Sequence, residues 1–142
     1  MGTISKNFSY REFEASDTAK RKHILNAITT FAVRDSIQAL VNDVLQPLRD
    51  SLGVSLHINS GYRSPELNAA VGGVPTSQHT KGEAADVSCE LPPIEVAMKA
   101  VELGLPFDQM IVYPTFVHFS HKLHGEQRGQ VLYNKSYKGE RL

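Results

Sequence analysis

Apolar residues recur at intervals of three and four along residues 35–52, which is the clearest helical pattern in the chain. These apolar positions are Ile37, Leu40, Val41, Val44, Leu45 and Leu48. Their spacing places them on one face, so the sequence predicts an amphipathic helix that ends at Gly53. Pro47 lies inside the pattern and is expected to bend or locally disturb the helix, because proline lacks the amide hydrogen that a helix uses.

Shorter patterns predict the remaining elements. Apolar and polar residues alternate over residues 54–60, which predicts a strand with Val54, Leu56 and Ile58 facing inward. Further strands are predicted at residues 84–89, 110–113, 116–120 and 130–133, and shorter helices after Ser9, after Ser64 and over residues 93–103. Because helices come first and antiparallel-type strands follow, we predict an α+β fold.

Composition and charge narrow the classes of protein. The 142 residues are 41% hydrophobic and 21% charged, which is typical of one globular domain over residues 1–142. Fifteen basic residues balance 15 acidic ones, which argues against a nucleic-acid partner and gives no polybasic patch for a membrane. We expect a monomer, with the single Cys89 in the core. The N-terminus has no signal-peptide pattern, so we expect synthesis in a cytoplasm.

Candidate chemistry is concentrated in three short segments. His79 and Asp86 flank a tight turn at Gly82, after which small residues enter a predicted strand. His118 lies in the middle of a later apolar strand. Two histidines and one carboxylate, with an open fourth position, form the ligand set of a catalytic zinc site. Spacing alone leaves another interpretation open, in which these residues are a loop histidine, a capping aspartate and a packed core histidine.

Longer motifs resemble a known family. They are Ser-Gly-Tyr-Arg-Ser-Pro at 60–65, Ser-Gln-His-x-x-Gly-x-Ala-x-Asp at 77–86, Phe-Asp-Gln at 107–109 and Val-His-x-Ser at 117–120. The chain resembles the zinc D-alanyl-D-alanine carboxypeptidase family of peptidoglycan metallopeptidases, over residues 7–132. Its opening residues are similar to those of short phage and prophage endolysin-like members. The resemblance implies a Hedgehog/DD-peptidase-like fold, in which helices pack around an antiparallel sheet with a zinc cleft.

The resemblance also implies roles for individual residues. One zinc ion per chain would be held by His79, Asp86 and His118. Arg63 matches the arginine that binds the substrate carbonyl or carboxylate near the metal. Ser77 matches a small polar residue that lines the substrate cleft, although a simple turn residue fits it as well. Tyr62 is expected to pack beside the site or to be a buried turn aromatic.

The sequence departs from the family at the general base. Many members have an acidic residue three positions before the last histidine ligand, where this chain has Thr115. The short members have a glutamate at the end of the strand that follows Asp-Gln, where this chain has Tyr113. Asp108 and Glu126 are possible substitutes, although Asp108 is better explained as a structural acid. His121, three residues after His118, is expected to be exposed.

These observations favour one function and leave two alternatives. The expected function is a zinc metallopeptidase that hydrolyses peptide bonds in peptidoglycan stem peptides, as a D,D-carboxypeptidase or an endolysin-type endopeptidase. The first alternative is a catalytically inactive zinc-binding domain of the same fold, with a role in binding or assembly. The second is a metal-free structural domain. Synthesis in the cytoplasm fits an endolysin that a holin later releases to the cell wall. It also fits a dipeptidase that acts in the cytoplasm and needs no release.

Overall fold

The computed structural model describes residues 2–142. These residues form six α-helices, one π-helical turn, one 3-10 helix and seven strands. The helical elements are α1 (Tyr10–Glu14), α2 (Asp17–Lys22), α3 (Phe31–Leu40), the π-turn (Val41–Leu45), α4 (Gln46–Leu52), α5 (Pro65–Ala70), the 3-10 helix (Gln78–Lys81) and α6 (Pro93–Glu102). The strands are β1 (Thr3–Ser5), β2 (Phe8–Ser9), β3 (His57–Ser60), β4 (Ala84–Ser88), β5 (Gln109–Val112), β6 (Val117–Ser120) and β7 (Gln130–Tyr133). Within residues 2–142, no helix has both the length and the apolar composition to span a bilayer.

The predicted long helix is confirmed, and it begins earlier, at Phe31. The disturbance expected from Pro47 takes the form of the π-turn, in which the Gln46 amide donates to the Val41 carbonyl five residues before it. A proline ring clashes with the carbonyl four residues earlier, here that of Asp43, and the wider turn relieves this conflict. The π-turn does not disrupt the apolar face of the helix, because all six of its predicted members are fully buried.

Five strands form a sheet in the order β3-β4-β6-β5-β7. The pairs β3–β4, β4–β6 and β5–β6 are antiparallel, as predicted. The predicted antiparallel sheet is mixed at one edge, because β7 runs parallel to β5. The loop after β6 returns the chain to the beginning of β5, where the Gln130 amide donates to the Asp108 carbonyl, so β7 enters in the direction of β5.

One face of the sheet packs against the helices. Ile58, Val87, Val117 and Met110 are buried on this face, with α6 packed over β5 and β6 and against α4. The predicted strand at 54–60 forms only from His57, so Val54 remains half-buried, whereas Leu56 and Ile58 are buried as expected.

The opposite face of the sheet positions the chemistry. Asp86 on β4 lies directly opposite His118 on β6. On its other side, Asp86 pairs with Ser60 of β3, because a bulge between Ile58 and Ser60 shifts the register by one residue. Bulges commonly re-aim side chains next to functional sites. Register alone therefore places Ser60, Asp86 and His118 in one row across three neighbouring strands.

We predict that Gly61→Ala will destabilise the fold. A β-carbon at Gly61 would lie 2.6 Å from Cδ2 and 2.8 Å from Cα of the fully buried Phe13. Overpacking of this kind costs about 2 kcal/mol, which lowers the melting temperature by about 6 °C in a chain of this size. Thermal unfolding measures the change, and Gly2→Ala is the control, because nothing lies within 4 Å of the position that its β-carbon would occupy. A Gly61→Ala variant that melts at the wild-type temperature would refute the prediction.

Candidate metal centre

His79 is presented by a short turn whose ends are both fixed. The Ser77 hydroxyl accepts a hydrogen bond from the His79 amide (3.2 Å) and so caps the 3-10 helix. Gly82 ends this helix with a φ of +76°, in the left-handed region, and a β-carbon there would lie 2.7 Å from the Val33 carbonyl oxygen. The turn predicted at Gly82 is confirmed, and it requires glycine for both conformation and space.

The three residues expected to be metal ligands converge. Nδ1 of His118 lies 2.8 Å, and Nε2 of His79 3.5 Å, from the same oxygen, Oδ1 of Asp86. One donor atom from each residue lies within 4.8 Å of the other two. The two imidazole rings meet edge to face, with their centroids 5.2 Å apart. This arrangement could hold a metal ion.

A backbone carbonyl orients the His79 ring. Nδ1 of His79 lies 2.7 Å from the Gly61 oxygen, which can only accept, so Nδ1 carries the hydrogen. Nε2 is therefore the nitrogen that faces Asp86 and that is available to a metal ion. Outer-shell contacts of this kind are usual for metal-binding histidines, because they fix the tautomer and the ring orientation. His79 is 4% exposed, so the ring has little freedom to turn away.

Asp86 is ionised in this setting. Burial alone raises the pKa of Asp86, but hydrogen bonds from His118 and His79 and the charge of these imidazoles outweigh burial and hold the pKa well below its usual range. Two imidazole nitrogens and one carboxylate oxygen form a donor set that suits zinc, with room for a fourth ligand. Cys89, which follows β4, was predicted in the core; it is half-buried and packs against the hydrophobic core from outside.

Arg63 lies beside the centre and is oriented by its neighbours. Its Nε donates to the Ser60 hydroxyl (3.3 Å) and its Nη1 to Oδ1 of Asn68 (3.2 Å). Its backbone amide donates to the His79 carbonyl (3.1 Å), which ties the Arg63 turn to the ligand turn. Ser60 is in turn the cross-strand neighbour of Asp86. The guanidinium is therefore held by β3 and α5, and β3 pairs directly with β4, the strand that carries Asp86.

Two depressions lie on either side of the centre. The larger, of about 670 Å³, is lined by His118 and Ser77, so Ser77 is both a helix cap and a wall of this depression. The smaller, of about 280 Å³, is lined by Tyr62 and Arg63 on the β3 side. Tyr62 is nearly buried, and burial raises the pKa of its phenol. In the strand order, β4, which carries Asp86, lies between β3, which lines the smaller depression, and β6, which lines the larger one.

Thr115 and Tyr113 occupy the positions where the resemblance led us to expect a general base, and the structure places them differently. Thr115 is exposed at the tip of a tight turn, which the Tyr113 amide closes by donating to the Phe116 carbonyl (2.9 Å). Tyr113 stacks on Phe116, with ring centroids 4.3 Å apart. Burial and the Asp86 charge raise the pKa of Tyr113, and Arg63 opposes this shift. Tyr113 therefore lies within electrostatic reach of both Asp86 and Arg63.

The other acidic candidates lie elsewhere. Asp108 is fully buried and binds the Arg128 guanidinium through Oδ1 (3.0 Å to Nε) and Oδ2 (2.8 Å to Nη2), which agrees with a structural acid. These hydrogen bonds outweigh burial and lower the pKa of Asp108 to about 2. Glu126 is exposed in the loop after β6.

The expectation that His121 is exposed is wrong. His121 is 5% exposed, and its Nε2 lies 3.1 Å from Oδ2 of Asp43 on the π-turn. The chain turns after β6, and the His121 amide donates to the Glu83 carbonyl (2.8 Å), which folds the residue inward. Strand alternation could not predict this, because the strand ends at Ser120.

Two buried asparagines, Asn26 and Asn68, position residues of the site, and the sequence analysis did not predict this role. Asn68 holds Arg63 and also donates to the Val74 carbonyl (2.7 Å). Asn26 donates to the Tyr62 carbonyl (3.0 Å) and accepts from the Ser64 amide (2.7 Å). It therefore fixes the backbone immediately before and after Arg63. Asparagine is common in ordinary turns, so no sequence signal distinguished these two.

We predict stoichiometric zinc binding that depends on the three converging side chains. His79→Ala, Asp86→Ala and His118→Ala should each weaken zinc binding by more than about a hundredfold, because each removes one of three donors. Competition with a chromogenic chelator measures the affinity, and the exposed His57, changed to alanine, is the matched control. Retention of one tightly bound zinc by His79→Ala would contradict this assignment.

Comparison with known proteins agrees with the geometry. The sequence model of the Peptidase M15 family matches residues 6–120, which include Arg63, His79, Asp86 and His118. No curated protein matches the chain. Peptidases of this family are zinc-dependent, and the His-Asp-His group is the part of this chain that could bind the ion. The match covers most of the chain, which therefore belongs to the peptidase M15 family.

Proposed function

We propose that this protein is a zinc metallopeptidase that hydrolyses peptide bonds in peptidoglycan stem peptides. The observation that supports this most directly is the convergence of His79, Asp86 and His118 beside an open depression, in a chain of the peptidase M15 family. The activity would be that of a D,D-carboxypeptidase or of an endolysin-type endopeptidase, and the latter would reach the wall after release by a holin.

His79, Asp86 and His118 would hold the zinc ion. When bound there, zinc supplies Lewis-acid chemistry, which polarises a carbonyl and activates water. The protein keeps the donors ready for the ion: the Gly61 carbonyl fixes His79, and Asp86 remains ionised. Little rearrangement is then needed when the ion enters.

Arg63 would bind the substrate oxygen that gains charge during the reaction. A guanidinium presents a planar, permanently charged fork, which suits a carboxylate or a developing oxyanion. Ser60 and Asn68 hold the fork, so its orientation is set before the substrate arrives. The free hydroxyl hydrogen of Ser77 can donate to the peptide on the other side, while its oxygen caps the 3-10 helix. Tyr62 would form part of the wall near Arg63.

Tyr113 would act as a hydrogen-bond donor. Its pKa is raised by burial and by the Asp86 charge, so the phenol keeps its proton at neutral pH and cannot serve as a base. A protonated phenol near Asp86 and Arg63 can stabilise negative charge on the substrate.

One observation favours a second candidate function. A tyrosine and an exposed threonine occupy the positions where family members have a carboxylate base. An inactive zinc-binding domain, with a role in binding or assembly, would need no such base.

We predict that the zinc-loaded protein cleaves purified peptidoglycan fragments and that Arg63→Lys lowers kcat/KM by about a hundredfold. The loss is expected because lysine keeps the charge but not the fork, and one oxyanion donor contributes a factor of about 100 to 1,000. Mass spectrometry of the products identifies the bond, zinc content is measured in parallel, and the exposed Arg11→Lys is the control. Full zinc with no cleavage of any wall fragment would exclude the peptidase.

The effect of Tyr113 substitutions separates the two candidates. If the protein is a peptidase that uses the phenol, Tyr113→Phe should lower kcat by about tenfold, because one hydrogen bond to developing charge is lost, while zinc content stays unchanged. If the protein is an inactive relative, the wild type does not turn over, and Tyr113→Glu should introduce cleavage by restoring a carboxylate. Unchanged kcat in Tyr113→Phe would remove Tyr113 from the proposed mechanism.

A further inference from the structure

The larger depression beside His118 has an uneven distribution of charge. Its walls include Lys81, Lys122 and Arg128, with Glu83 as the acidic residue among the lining side chains. The fully buried Asp108 lies beneath them. Three cations therefore face two carboxylates, which leaves one net positive charge here in a chain whose net charge is zero.

The cations are held at the depression but remain available to a ligand. Arg128 uses Nε, Nη2 and its backbone amide to bind Asp108, and within residues 2–142 its Nη1 makes no hydrogen bond. Lys122 lies 3.7 Å from the same carboxylate and is about one-third exposed, and Lys81 is exposed. Asp108 thus holds both Lys122 and Arg128 at the wall, while its single negative charge balances only one of their two positive charges.

The smaller depression is different. Asp17 and Arg63 are the charged residues among its lining, so their charges balance, and the remaining wall is neutral. The two depressions lie on opposite sides of Asp86 in the strand order. A peptide that crosses the centre would therefore have one end in a neutral depression and the other in a basic one.

We infer that the basic depression binds a carboxylate of the peptide substrate, so that the protein prefers carboxylate-bearing peptides to otherwise identical amidated ones. This inference rests on the proposed function, because it takes the substrate to be a peptide that crosses the metal centre. The volume of about 670 Å³ is in the range of sites that bind small ligands and is sufficient for a few residues. Positive charge in a partly enclosed cleft also raises the local concentration of anionic substrate.

Three synthetic stem pentapeptides test the inference with the zinc-loaded full chain. One has free carboxylates, one has its side-chain carboxylate amidated, and one has its C-terminal carboxylate amidated. We expect one amidated peptide to have a kcat/KM about fivefold lower than the free peptide, and the position of that amide identifies the carboxylate. The difference should shrink at 0.5 M salt, because the cations are partly exposed to solvent.

Charge-neutral variants assign the effect to this depression. The double variant Lys81→Gln/Lys122→Gln should abolish the preference, so that it cleaves the free and the amidated peptides with equal kcat/KM. Lys99→Gln on α6 is the control, because Lys99 pairs with Glu102 on a helix away from both depressions. Equal kcat/KM for all three peptides, or an equal loss for all three in the double variant, would overturn the inference.

The test remains informative if the proposed function fails. If none of the peptides is cleaved, calorimetric titration of the zinc-loaded protein with the same peptides gives dissociation constants. A fivefold weaker affinity for one amide, lost in the double variant, would still support the basic depression as a carboxylate site. Equal affinities for the three peptides, or no binding at all, would overturn it.

Discussion

An ionised carboxylate on an inner strand of the sheet, that of Asp86, is the constraint on which the arrangement of the site depends. A mostly buried carboxylate is costly unless it is paired or bound to a cation, so its neighbours must provide compensation. Register places His118 on one side of Asp86 and Ser60 on the other, and the loop that contains His79 folds over it. In a metal-free chain the two imidazoles provide the compensation, and a bound zinc ion would do so more strongly.

The helical half of the chain stabilises this arrangement indirectly. The Gly61 carbonyl that orients His79 belongs to a turn packed against Phe13 of α1, and the next amide, that of Tyr62, donates to the Phe13 carbonyl. Asn26, in the loop before α3, binds both sides of Arg63. Two residues from the first quarter of the sequence, Phe13 and Asn26, therefore support the turn that carries Gly61 and Arg63. Preorganised outer-shell contacts of this kind keep a site within the tolerance that catalysis needs.

The sequence predicted features that depend on local spacing or that are carried by motifs resembling a known family. The amphipathic helix, the turn at Gly82 and the convergence of His79, Asp86 and His118 follow from periodicity, from glycine conformation and from motifs that match a family. Features that depend on long-range contacts outside those motifs were missed. The parallel pairing of β7 depends on where the preceding loop returns the chain, and the burial of His121 depends on its contact with Asp43 on the π-turn. The roles of Asn26 and Asn68 depend on partners that lie distant in the sequence or in irregular turns.

X-ray absorption spectroscopy of the zinc-loaded protein tests most directly whether His79, Asp86 and His118 form a metal centre. We predict one zinc per chain, two imidazole nitrogens at about 2.0–2.1 Å, carboxylate or water oxygen at about 2.0–2.2 Å, and no sulfur scattering. Fewer than two imidazoles, or a sulfur shell at about 2.3 Å from Cys89, would show that the ion binds elsewhere and would contradict the assignment of His79, Asp86 and His118 as its ligands.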